Sequence, residues 1–114
     1  MIIGEVCLMT RDVVRLANFY RWLLNVGNSS DDCGHQTILA EGTTLTVCYE
    51  ESAKQAGSNI CLAFSVKDVD AEYIRLKDAG IPVAEPPTTR PWGMRNMSFE
   101  DPDGNRIYFR TPIE

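Results

Sequence analysis

Two segments of this chain can be laid over each other element by element. Leu8-Met9-Thr10-Arg11-Asp12-Val13 and Phe64-Ser65-Val66-Lys67-Asp68-Val69 coincide at an offset of 56, with Asp68 over Asp12. In both, an apolar strand runs into a basic residue, an Asp-Val cap and a helix. Farther along, Gly104 falls over Gly42 at an offset of 62, and the hairpins around the two glycines coincide. A period of 56 to 62 residues is longer than the repeats of solenoids, so the duplication points to a pseudo-symmetric pair of strand-helix-hairpin units. The 114 residues suffice for one domain and are too few for two independent ones. Two such units can curl their sheets around a shared cavity.

The first unit opens at residues 2–9, apolar apart from Glu5, which reads as a strand covered on both faces with one charge inside it. Beyond Asp12, a candidate cap, Val13, Leu16, Tyr20, Leu23 and Leu24 recur at helical spacing as far as Gly27. A polar loop over 28–34 leads to strands at 36–40 and 44–49, joined by a turn at Glu41-Gly42. Residues 50–58 are polar and form the linker. The second unit repeats the order with a strand over 59–66, a helix over 68–79 carrying Val69, Tyr73 and Leu76 on one face, and a short extended piece over 81–84. Pro86-Pro87 and residues 88–93 read as a stiffened loop, because proline fixes φ and biases its predecessor away from helix. Strands at 94–99 and 106–109 then pair around Asp101-Pro102-Asp103-Gly104-Asn105, whose Pro and Gly suit a hairpin turn.

Composition narrows the function classes. An apolar fraction of 44% with 24% charged residues supports a core without help from metal or crosslinks. A net charge of −5 repels phosphate backbones and anionic membranes, so neither nucleic acid nor membrane is an expected partner. No apolar run approaches the roughly 20 residues that span a bilayer, and no basic segment precedes a long apolar stretch at the N-terminus. Cys7, Cys33, Cys48 and Cys61 are scattered without a CxxC pair, which fits reduced thiols and a cytoplasmic protein better than a disulfide scaffold.

Arg90-Pro91-Trp92-Gly93-Met94-Arg95 followed by Phe99-Glu100-Asp101-Pro102-Asp103-Gly104-Asn105 resembles the C-terminal signature of the glyoxalase, bleomycin-resistance and extradiol-dioxygenase superfamily, the vicinal oxygen chelate proteins. The helices after Asp12 and Asp68 are similar too. The resemblance implies an α+β fold of two βαβββ modules, about 1–50 and 58–114 of a single domain, forming a curled mixed sheet. It also implies a homodimer with small-molecule sites in the grooves, and Pro-Trp-Gly looks closest to the bleomycin-resistance branch.

Metal-using members of that superfamily carry ligands on the first and last strands of each module. Carried over residue by residue, these positions fall on Glu5 and Cys61, and on Thr46 and Tyr108, with Cys48 one pleat from Thr46. Only Glu5 is a usual ligand for Mg, Mn, Ni or Fe, and a two-histidine site is impossible with His35 alone. The ancestral metal site is therefore expected to be lost, and no cofactor is expected. A zinc site of Glu5, Cys48 and Cys61 is conceivable, but isolated cysteines, Cys7 included, more often serve as small apolar fillers. A nucleophilic cysteine would need a nearby base or cation.

Glu5 has two readings: a groove residue that attracts a cation or hydrogen-bond donor, or a strand-edge residue paired with an arginine such as Arg106 or Arg110. It is the only candidate base for catalysis. Trp92, on a proline-bounded loop, offers a flat face for stacking a ring, against the alternative of a loop anchor plugging the core. Trp22 reads as a packing or dimer-contact residue. The ligand-binding candidates are thus Glu5, Thr46, Cys48, Cys61, Trp92 and Tyr108. The first expectation is a metal-free binding protein that sequesters an aromatic or cationic compound such as an antibiotic. The rivals are a glyoxalase-like lyase, isomerase or dioxygenase that uses a divalent metal, and a metal-free enzyme with Glu5 as base.

Overall fold

The structure is a computed structural model that describes residues 1–54 and 59–113. It divides into two compact units, Met1–Gln55 and Ala56–Glu114. Of the linker expected over 50–58, residues 55–58 lie outside the described residues.

The first unit contains β1 (Glu5–Thr10), α1 (Val13–Leu24), β2 (His35–Leu39) and β3 (Thr44–Tyr49). Its sheet has the order β1-β3-β2, with β1 parallel and β2 antiparallel to β3. Asp12 caps α1 by accepting the Arg15 N–H, as its position predicts. The helix ends at Asn25 rather than near Gly27, since asparagine tolerates the left-handed φ of 55° that closes it. Leu16, Ala17 and Tyr20 on α1 are buried, as are Ile38, Leu45 and Val47 on β2 and β3. Arg21 is also buried, and it is satisfied by donating to the side-chain oxygens of Gln36 and Asn28. Only one face of β1 is covered, contrary to the expectation of two. Glu5, Cys7 and Met9 point away from the helix and are exposed.

The second unit contains β4 (Cys61–Ser65), α2 (Val69–Asp78), β5 (Val83–Thr89), β6 (Met94–Glu100) and β7 (Arg106–Pro112), with the sheet order β4-β7-β6-β5. Asp68 caps α2 by accepting the N–H groups of Asp70 and Ala71, so both Asp-Val pairs of the repeat do the same work. Buried Phe99 and Phe109 meet edge to face at 5.1 Å, with Phe64 against Phe109 on the other side, an arrangement worth about 0.5–1.5 kcal/mol per pair beyond its area.

β5 runs straight through Pro86-Pro87, which the sequence places in a loop. It is an edge strand, where a missing N–H costs no ladder bond, and its pairing with β6 slips on both sides of Glu85. The stiff loop shrinks to Arg90-Pro91-Trp92-Gly93, a tight turn closed by Gly93 N–H to Arg90 O, with Gly93 at φ 86°. Asp101-Pro102-Asp103-Gly104 is built the same way, with Gly104 N–H to Asp101 O and φ 83°. The shared x-Pro-x-Gly pattern is legible in the sequence and marks both hairpins of this sheet.

The α+β class and the paired modules are as expected. The first unit carries three strands against four in the second among the described residues. In place of a fourth strand, its segment before β2 is held by Asx turns on Asp32, whose Oδ1 accepts from Gly34 and His35. Register confirms the duplication: Glu5 pairs with Thr44 where Cys61 pairs with Arg106, preserving the offsets of 56 and 62.

Candidate functional site

In each sheet one face packs on the helix and the other is open. Strand pairing fixes which residues share the open face, because partners across a ladder point the same way.

On the first unit's open face, Thr46 donates from Oγ1 to the Glu5 carboxylate at 2.9 Å. Two positions singled out by the resemblance thus meet, and Glu5 is satisfied within its own unit by a hydroxyl. Cys48 is joined to Cys7 by a disulfide, with Cα atoms 6.6 Å apart and 41 residues of separation. This corrects the expectation of four reduced thiols and removes Cys48 as a free ligand. Parallel β1 and β3 put Cys7 and Cys48 diagonally across one ladder, a proximity that spacing alone does not reveal. The argument for a cytoplasmic home from reduced thiols fails for this pair. Cys33 and Cys61 are free and exposed. His35 is exposed at the start of β2, opposite Cys48 in the ladder.

On the second unit's open face, one residue from each of β4, β7 and β6 makes up a row. Ala63, Tyr108 and Ser98 form one row, and Ser65, Arg110 and Asn96 the next. Glu85 on β5 continues the first row beside Ser98. Over them the turn at the β5–β6 hairpin projects Arg90 and Trp92. Together these enclose a recess of about 340 Å³ lined by Ala63, Tyr108 and Arg110 at its base, Glu85, Arg90 and Trp92 at its side, with Met94 and Asn96 completing it.

A polar network shapes that recess. Glu85 accepts from Arg90 Nη2 and from Ser98 Oγ, both at 3.1 Å, while Arg90 Nε donates to Asn96 Oδ1 at 2.9 Å. The Arg90 bond, then the Ser98 bond, hold the Glu85 carboxyl below its ordinary value of 4.5. Arg106, beside Tyr108 on β7, has its guanidinium pKa raised chiefly by hydrogen bonding to Tyr108, and less by Glu85 and Glu100. Trp92 is 68% exposed, so it is not a core plug, and it contributes to the lining of the recess. Trp92 and Tyr108 are therefore brought together, whereas Cys61 lies outside the lining, one pleat along β4 from Ala63. Glu85 was not singled out from the sequence, and Arg90 and Arg110, named there in a motif and as a possible partner of Glu5, were not placed in the recess. Glu85 stood next to a Pro-Pro pair taken as loop, and only its strand pairing aims it at the open face.

Does this donor set suit a metal? Among the described residues no group of three or more His, Cys, Asp or Glu side chains is placed to hold an ion. Thr46 spends its proton on Glu5, and a threonine hydroxyl and a tyrosine phenol are poor substitutes for imidazole and carboxylate. The residues at the superfamily's ligand positions do not fit a divalent metal.

The profile of the glyoxalase/bleomycin resistance protein/dioxygenase superfamily matches residues 2–109, and the chain belongs to that superfamily. No functionally curated protein matches it. Among solved structures, a glyoxalase/bleomycin resistance protein/dioxygenase from Nocardioides superposes with a TM-score of 0.82 at 23% identity, covering 100% of this chain and 85% of its own. An enzyme of the same family from Burkholderia phytofirmans PsJN gives 0.84 at 16% identity over 99% and 100% of the two chains. TioX from Micromonospora sp. ML1 gives 0.71 at 21% identity over 96% and 98%. At these identities the likeness shows the fold. No helix among the described residues is long and apolar enough to cross a membrane.

Proposed function

We propose that this chain is a metal-free small-molecule-binding protein of its superfamily, and that the recess of the second unit holds a flat aromatic compound. The single observation that carries this reading is the placement of Trp92: a mostly exposed indole at a proline-locked turn, over a recess whose base includes Tyr108. A rigid aromatic wall loses little entropy when a ring stacks on it. The recess is of the size that encloses a small organic molecule. A homodimer belongs to the same proposal, and sedimentation velocity tests it.

A panel of planar aromatic compounds should quench Trp92 fluorescence and raise the melting temperature. At a ligand concentration of 100 times Kd the gain is about 2.7 kcal/mol. Trp92→Ala should abolish the quench while Trp22, the other tryptophan, still emits. If no compound shifts the melting curve of the wild type, the binding reading fails.

A further inference from the structure

We infer that Arg110 gives the recess an anion-binding end, so that the compounds it takes are aromatic carboxylates rather than cations. This rests on the binding reading above. The net charge of −5 favours a cationic ligand at long range, but the lining of the recess has the opposite sign, two guanidinium groups against the one carboxylate of Glu85. The two arginines differ in what they have left to offer. Arg90 is committed on two sides, to Glu85 and to Asn96. Arg110 donates only from Nε, to Ser65 Oγ at 3.3 Å, and among the described residues no carboxylate pairs with it.

Its position in the unit makes that contrast informative. Arg75, Arg90 and Arg95 each reach a carboxylate, of Glu72, Glu85 and Asp70, at 3.1 Å or less. Arg106 lies near Glu85 and Glu100. Among the arginines of this unit, Arg110 alone lines the recess with no acidic partner among the described residues, its Nε donating to Ser65 Oγ and its terminal nitrogens making no hydrogen bond there. A planar fork with both terminal nitrogens free accepts a carboxylate through two parallel N–H···O bonds, a geometry that lysine cannot copy. With the carboxylate on Arg110, an attached ring extends across Tyr108 toward Trp92, which line the same recess.

A matched series tests this: 2-naphthoate, 2-naphthamide and 2-naphthylmethylammonium, titrated against the whole chain by Trp92 quenching. The expected order is carboxylate tightest, by about tenfold over the amide, with the ammonium weakest, and the margin shrinking as salt rises. Arg110→Gln should weaken the carboxylate far more than the amide and so erase the preference between them, and Arg110→Lys should restore part of it. If the amide and the carboxylate bind the wild type equally, the assignment of Arg110 is overturned and the binding reading stands. If none of the three binds, this inference is overturned, and the binding reading falls with it only if the wider panel of planar aromatics also leaves the melting curve unmoved. The wild-type comparison decides even if a variant misfolds.

Discussion

The two halves of this molecule start from the same plan and end with opposite open faces. In the first unit the side chains of that face are tied to one another, with Cys7 bonded to Cys48 and Glu5 accepting from Thr46. In the second the corresponding face carries a recess with a bank of side chains that Glu85, Arg90 and Trp92 supply from β5 and its turn. Among the described residues those side chains have no counterpart in the first unit, where Asx turns on Asp32 stand in the chain between α1 and β2 and β5 stands between α2 and β6. One further strand, tolerant of two prolines because it lies at an edge, thus separates a crosslinked surface from one that carries a recess. The lesson is that the two copies share a scaffold and differ in the edge strand and turn that supply one side of the recess.

The largest expected effect probes the second core. Phe99→Ala removes a ring wedged against Phe109 and should cost about 3–5 kcal/mol in urea unfolding. A loss under 1 kcal/mol would show that the aromatic stack is not what holds this sheet to α2. Next comes the crosslink of the first unit. Replacing Cys7 and Cys48 together by serine should cost about 2–4 kcal/mol, given the 41-residue separation of the bonded pair. If thiol alkylation labels four cysteines in the unreduced wild type, the contrast between a crosslinked face and one that carries a recess collapses.

Smaller effects sharpen the likeness instead. Asp12→Ala and Asp68→Ala remove equivalent helix caps and should each cost about 1 kcal/mol by chemical denaturation. Strongly unequal values would show that the duplicated caps no longer do equal work. Last is the acid dependence of the recess. Glu85 has its pKa depressed in the folded state, so its contribution is fully present above 4.5 and is lost as pH falls below that value through the folded pKa. Wild type and Glu85→Gln should therefore differ most near neutrality and converge below pH 4.5, read as melting temperature against pH. Curves that stay parallel through this range would remove Glu85 from the network.

How much of this was legible beforehand follows from the range of each interaction. Asp12 and Asp68 announced their caps because capping joins residues two or three apart. Gly42 and Gly104 announced their turns because a positive φ is a local demand that glycine meets most cheaply. Glu5 and Thr46 were singled out separately through the resemblance, and only the parallel register of β1 on β3 makes hydrogen-bonding partners of them. Cys7 and Cys48 were read as separate fillers, since nothing in a spacing of 41 tells a packed cysteine from a bonded one.

By itself, then, the sequence determined the duplication, the two capped helices, the glycine turns and the superfamily, all of which are written in short spacings or in motifs that recur along the chain. Tertiary structure alone decided that Pro86-Pro87 lies in a strand, that Cys7 finds Cys48, and that Glu85 and Arg90 meet over a sheet floored by Tyr108 and Arg110. Each of those outcomes depends on strand order and register. These are set by the burial of whole faces against a helix, and no short stretch of residues encodes them.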